Sequence, residues 1–157
     1  MQEIIGTSNK VLEVDLTTKK FTVSDVDTKD LAMYMGGKGL GLKMLYDRMP
    51  AGVDPLGEEN MIAFMMGVLM GTGAPCSGRF AAVTKSPLTG IMASASCGGP
   101  FGMALKTSGW DGIIVKGKSA KPVMLVVDSK GVEFRDAGKY WGMDTHEVQE
   151  HLDKIGS

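Results

Sequence analysis

The sequence predicts one α+β domain made of mixed or antiparallel sheets with short flanking helices. Three observations lead there. The chain has 157 residues, 43% of them apolar and 22% charged, enough to bury one core. Its apolar runs are short and strand-like, and they are separated by turn chemistry rather than by regular helical crossovers. No linker, repeat or low-complexity segment divides it, so residues 1–157 read as a single domain.

The elements follow in order. Val11, Leu12, Val14 and Leu16, then Phe21, Val23 and Val26, flank the polar break Thr17-Thr18-Lys19-Lys20. They predict an opening hairpin with Glu13 and Asp15 facing solvent. Thr28 or Asp30 caps a short helix through Met35, the run Gly36-Gly37-Lys38-Gly39-Leu40-Gly41 forms a close-approach loop, and a second helix led by Leu42, Leu45 and Tyr46 ends at Met49-Pro50. Residues 61–66 and 79–85 read as strands, Ser86-Pro87-Leu88-Thr89-Gly90 as a turn, and 91–96 as the returning strand. Pro100 opens a short helix toward Gly109. Residues 111–116 and 123–128 are strands, Ser129-Lys130-Gly131 a turn and 132–134 a return strand; Asp144 caps a last helix running from 145 to 154.

Charge and glycine carry the functional signal. From Met61 to Trp110 there is no Asp or Glu, while Arg79, Lys85 and Lys106 are present. Glycine makes up 22 residues, about 14% against a typical ~7%, without repetition. An acid-free, glycine-rich centre suits either a site for an anionic ligand, where backbone N–H groups approach closely, or a buried sheet that excludes charge. Gly98 and Gly99 before Pro100 place free donors at a helix N-terminus, either an anion site or a tight turn. Arg79, the one charged residue from 61 to 84, calls for a partner: a carboxylate, carbonyl groups or a bound phosphate. Lys38, Lys85 and Lys106 are lesser candidates for anion contact, since an isolated lysine on a half-buried element is more often a snorkelling surface residue. Met65, Met66, Met70 and Met92 lie in apolar surroundings and read as core.

Other chemistries are excluded or weakened. Gly112-Ile113-Ile114-Val115-Lys116-Gly117-Lys118-Ser119 satisfies the phosphate-loop pattern, but its middle residues are themselves strand-forming and Pro122 stands where a helix is required. His146 and His151, five apart on a helix, lie on different faces and cannot share a metal. Two cysteines, Cys76 and Cys97, cannot supply the four thiolates of an iron–sulfur cluster. Three basic residues in an apolar stretch make no nucleic-acid surface. No span is long enough for a membrane and no signal peptide opens the chain, so the protein is expected in the cytoplasm.

The same residues carry a family resemblance. Gly36-Gly37-Lys38-Gly39-Leu40-Gly41, Ser77-Gly78-Arg79-Phe80, Val83-Thr84-Lys85-Ser86-Pro87-Leu88-Thr89-Gly90, Gly98-Gly99-Pro100-Phe101-Gly102 and Gly109-Trp110-Asp111, in that order, resemble the N-terminal domain of the tungsten-containing aldehyde ferredoxin oxidoreductases. The resemblance implies a two-sheet base carrying a tungsten or molybdenum bis-pterin. It also implies a [4Fe–4S] cluster and acid–base residues in later domains, and oxidation of aldehydes to carboxylic acids with ferredoxin as acceptor. Some members of the family act instead on aromatic acyl thioesters. By motif position, Arg79 matches the arginine between pterin and cluster, Gly98, with Gly99 beside it, a backbone contact to the pterin, and Ser96 the residue whose carbonyl helps bind a magnesium between pterin phosphates. Ser96 stands where Asn is common, Lys38 where Arg is usual, and Val68 and Met70 where Pro and Thr are common.

The family's domain runs on past Gly156-Ser157, so the chain is expected to be a fragment or one piece of a split protein, with later domains or a C-terminal subunit as partner. No catalytic residue is expected within it, and its uncovered apolar face predicts a homo-oligomer. The alternative is a non-catalytic pterin-binding or assembly subunit.

Overall fold

The computed structural model describes residues 6–153, which form two sheets and four α-helices. Strands β1 (Lys10–Asp15), β2 (Lys20–Asp25), β3 (Met61–Met66), β4 (Phe80–Lys85), β5 (Met92–Cys97) and β6 (Gly112–Lys116) make a six-stranded sheet in the order β2-β1-β6-β3-β4-β5. All its pairs are antiparallel except β1 with β6. Strands β7 (Val123–Asp128) and β8 (Gly131–Asp136) form a separate hairpin. The mixed α+β class is therefore as expected.

The large sheet is covered on both faces, and its strands are patterned for that. Val11, Ala63, Met65, Val83 and Ile114 pack with Leu31, Leu40, Met44 and Leu45 from helices α1 (Thr28–Tyr34) and α2 (Gly37–Arg48). Their neighbours Leu12, Val14, Met66, Phe80 and Ile113 point the other way, toward Leu105 of helix α3 (Pro100–Thr107), Met70 and Trp110. Successive side chains alternate across a strand, so adjacent residues serve opposite cores. Leu125, Val127, Val132 and Phe134 of the β7–β8 hairpin pack partly against this second core. The Trp110 indole Nε1 donates to the Asp128 carbonyl at 2.7 Å, tying that hairpin to the sheet. The methionines read as core are buried at 65, 66 and 70, and Met92 packs half-buried against the first cluster.

Several local expectations change. The run 36–41 is not a loop: helix α2 starts at Gly37, and Gly39 and Gly41 within it serve packing. A Cβ on Gly41 would sit 3.0 Å from Met65 Cγ and 3.1 Å from Val83 Cγ2, and one on Gly39 would sit 2.5 Å from the Tyr34 carbonyl oxygen. The low propensity of glycine is outweighed by this close seating of the helix on β3 and β4. Helix α1 is capped by Asp27, whose carboxylate accepts from the Lys29 N–H, not by Thr28 or Asp30. Strand β4 begins at Phe80, leaving Arg79 outside it. Glu13 does not simply face solvent; it is half-buried, accepting from Arg48 Nε at 3.1 Å and Nη2 at 3.0 Å and from the Ser24 hydroxyl.

The β1–β2 turn closes on Asp15, which accepts from the Thr18 and Thr17 N–H groups, and these bonds hold its carboxyl below the usual carboxylate range. Asp144 caps helix α4 (Thr145–Asp153), accepting from the His146 and Glu147 N–H groups while its own N–H donates back to Glu147, a reciprocal capping box. Residue 154, its expected end, lies outside the described residues. No described helix is long and apolar enough to cross a membrane.

Candidate functional site

The start of β4 and the end of β5 meet at one corner of the sheet. The register pairs Phe80 with Cys97 and Ala81 with Ser96, so Arg79, Ser96, Gly98 and Gly99 converge there although up to twenty positions separate them. All four are exposed. Gly99 needs to be glycine, because as N-cap of α3 it has φ +91°. Gly98 has no such reason, since its φ is not positive and a Cβ there would meet nothing within 4 Å. The same holds for Gly67 and Gly78. Open space where the fold itself tolerates a side chain is what close approach of something outside the chain would require.

Beside this corner lies a cleft of about 280 Å³. Gly36, Gly37, Gly67 and Met70 line one part of it and Cys76 and Arg79 another. An antiparallel bridge from Gly36 to Gly67 joins the α2 entry to the end of β3. Gly36 sits at φ +91°, with its Cβ position only 3.1 Å from the Met66 carbonyl oxygen. Met35 and Leu69, which also line the cleft, are exposed, as is Met33.

Arg79 departs from expectation in one respect. It is exposed, and among the described residues neither a carboxylate nor a carbonyl partners its guanidinium. The idea that it pins the hairpin to backbone carbonyls therefore fails, and its donors remain available to a ligand. The three lysines divide differently. Lys38 is exposed in the first turn of α2, the Lys85 ammonium donates to the Val53 carbonyl, and Lys106 forms a buried pair with Asp111. Neither Lys85 nor Lys106 is free for an anion. Asp111 was legible only as a strand-end acid; it is the first carboxylate after the acid-free window, five residues from Lys106, and that spacing was its one signal.

The phosphate-loop pattern is no loop, since residues 112–116 are strand β6. His146 and His151 are exposed, with His151 Nδ1 2.7 Å from the Glu147 carbonyl oxygen and its ring against Tyr140. Among the described residues no group of three or more His, Cys, Asp or Glu is placed to hold a metal ion.

A mixed sheet with helices on one face, a helix and hairpin on the other, and a glycine-lined cleft beside an exposed arginine define an α+β domain. The chain belongs to the aldehyde ferredoxin oxidoreductase family: residues 11–156 match the model described as "Aldehyde ferredoxin oxidoreductase, N-terminal domain". It is 40% identical over 149 residues to the tungsten-containing aldehyde ferredoxin oxidoreductase of Pyrococcus abyssi, covering 95% of this chain and 24% of that protein. It is 37% identical over 148 residues to the WOR-like subunit of an aliphatic sulfonate oxidoreductase from Pyrococcus furiosus, covering 92% and 23%.

Among solved structures it matches a chain of the active-site complex BamBC of benzoyl coenzyme A reductase with 1,5-dienoyl-CoA. The TM-score is 0.92 at 38% identity, over 96% of this chain and 23% of that one. The chain thus spans about a quarter of the length of these relatives. The relatives are oxidoreductases, and those from Pyrococcus abyssi and Thermococcus kodakarensis are named as tungsten-containing.

Proposed function

We propose that this chain is the N-terminal platform of a tungsten or molybdenum bis-pterin oxidoreductase that oxidises aldehydes to carboxylic acids and passes electrons to ferredoxin. The observation that carries the reading is the corner where Arg79, unpaired among the described residues, meets Gly78 and Gly98, which the fold does not itself demand, in a chain about 40% identical to tungsten-containing enzymes. The site fits an anionic, flat ligand. The cleft holds no carboxylate, Gly67 and Gly98 leave room for backbone N–H groups to approach, and Arg79 offers a bidentate fork to phosphate. A bis-pterin is larger than the cleft, so the cleft would take one end and the Ser96 to Gly99 edge another.

When bound, the metal dithiolene would supply the two-electron chemistry. The residues of this chain would bind and orient its pterin and phosphate groups, with the Ser96 carbonyl helping to hold magnesium. The [4Fe–4S] cluster, the substrate pocket and the ferredoxin surface would belong to later domains or a C-terminal subunit. Catalytic residues would lie there too, and the exposed Met33, Met35 and Leu69 would meet those domains or a second copy of the chain.

The reading is tested by expressing the chain with the coding sequence that follows it, anaerobically and with tungstate. Metal bound in stoichiometric amount and aldehyde-dependent electron transfer to ferredoxin are expected. Pterin bound without turnover would favour the assembly-subunit reading instead. The likeness to the benzoyl coenzyme A reductase complex gives a second enzymatic reading, reduction of an aromatic acyl thioester, which the same preparation tests with that substrate. The 157-residue chain alone should hold no iron–sulfur cluster, since Cys76 and Cys97 are its only thiols. Iron analysis of anaerobically purified chain checks this, and about four irons per chain would contradict it.

A further inference from the structure

We propose that Asp111 is a positioning residue for the cleft, holding two segments against the two sides of the wall formed by residues 67–72. This rests on the platform reading above for what the cleft binds, while the clamp itself rests on geometry alone.

The carboxylate of Asp111 is buried, with the side chains of Asp111 and Lys106 only 5% and 8% exposed. Its two oxygens face different segments. Oδ2 accepts from the hydroxyls of Thr7 and Ser8, the latter at 3.2 Å, and from the Lys10 N–H at 3.3 Å, all on the stretch leading into β1. Oδ1 accepts from the Lys106 ammonium in the last turn of α3. The Asp111 backbone adds two ladder bonds, donating to the Lys10 carbonyl at 2.8 Å and accepting from the Met66 N–H at 2.9 Å, at the residue where the wall begins.

Both gripped segments press on the wall. On one side a Cβ at Gly6 would lie 2.4 Å from the Val68 carbonyl oxygen, so the backbone of residue 6 sits directly on residue 68. On the other, a Cβ at Gly102 of α3 would lie 3.1 Å from Met70 Cε, and a Cβ at Gly71 would lie 3.5 Å from Lys106 Cγ. Gly67 and Met70 of this wall line the same cleft as Arg79. One buried carboxylate therefore fixes both supports of a glycine-containing turn whose own hydrogen bonds, Met70 N–H to the Gly67 carbonyl and Thr72 N–H to the Leu69 carbonyl, are all local. The end of α3 that it holds also sets where Gly98 and Gly99, at the other end of that helix, present their N–H groups.

The test separates position from mere stability. Asp111→Asn alone strands an ammonium in the core, so the informative protein is the double variant Asp111→Asn with Lys106→Met. It removes both charges, keeps an acceptor for Thr7 and Ser8, and is expected to melt close to the parent. In it, backbone amides of residues 68–72 should exchange with deuterium about tenfold faster, while those of the β1–β2 hairpin stay unchanged. Affinity for 6-hydroxymethylpterin phosphate, followed by its fluorescence, should fall about tenfold.

Unchanged exchange in residues 68–72 of a folded double variant overturns the positioning role, whatever the pterin does. Faster exchange in a protein whose parent ignores the pterin keeps the clamp and overturns the cofactor reading. If the double variant does not fold, Thr7→Val with Ser8→Ala releases the N-terminal side alone. Faster exchange at residues 68–72 is again required, and its absence again overturns the role.

Discussion

Gly131→Ala is expected to lower the thermal midpoint of the chain by roughly 10 °C, with the β7–β8 hairpin loosened from the large sheet. Gly131 opens β8 at φ +137°, a conformation that L side chains rarely adopt. A Cβ there would lie 2.2 Å from Phe21 Cζ and 2.5 Å from Cε2. Two costs add: about 1–3 kcal/mol of backbone strain and about 1–3 kcal/mol of overpacking against a ring held in the second core. Phe21 is partly buried against that core, so its ring can yield only by opening the packing around it. The hairpin is joined to the sheet by the packing of Leu125, Val127, Val132 and Phe134 on the second core and by the Trp110 to Asp128 hydrogen bond. Moving Gly131 off Phe21 should therefore also disturb the Trp110 environment. Calorimetry and tryptophan emission check this together, and a midpoint within about 2 °C of the parent with an unshifted spectrum would refute the account.

What could be read from the sequence was set by how locally each feature is encoded. The strands of all three hairpins and the Pro100 helix start were legible because alternation, turn residues and proline act over a few neighbours. Helix α2 was misread at its start because Gly37, Gly39 and Gly41 signal a loop locally, while the purpose of Gly41 is tertiary: it lets the helix reach Met65 and Val83, more than twenty positions away. The cleft was half legible. The glycines and Arg79 marked it, but the exposure of Arg79 and the placing of residues 67–70 along the cleft came only with the fold. Glu13 and Asp111 were missed for one reason, that their partners Arg48 and Thr7 lie 35 and 104 positions away along the chain. The resemblance added identity where local rules gave only an anion platform.

Arg79→Ala should leave the fold intact and weaken ligand binding sharply. The guanidinium is exposed and, among the described residues, makes no hydrogen bond or ion pair, so truncating it exposes no stranded acceptor. A surface change of this kind moves stability by no more than about 0.5 kcal/mol. If Arg79 grips a phosphate or pterin edge of the cofactor, its loss removes a charge-assisted hydrogen bond worth about 1.5–3 kcal/mol. That corresponds to roughly a tenfold to hundredfold loss of affinity. Arg79→Lys should fall between, because it restores the charge but not the planar fork. The pair of variants is read by thermal melting beside titration with 6-hydroxymethylpterin phosphate, and in the complete protein by tungsten or molybdenum content per folded chain. A melting point lowered as much as binding would mean that Arg79 supports the fold after all. Unchanged affinity and metal content in a stable Arg79→Ala protein would remove it from the cofactor site, leaving Gly98 and the cleft glycines to account for binding without a side-chain charge.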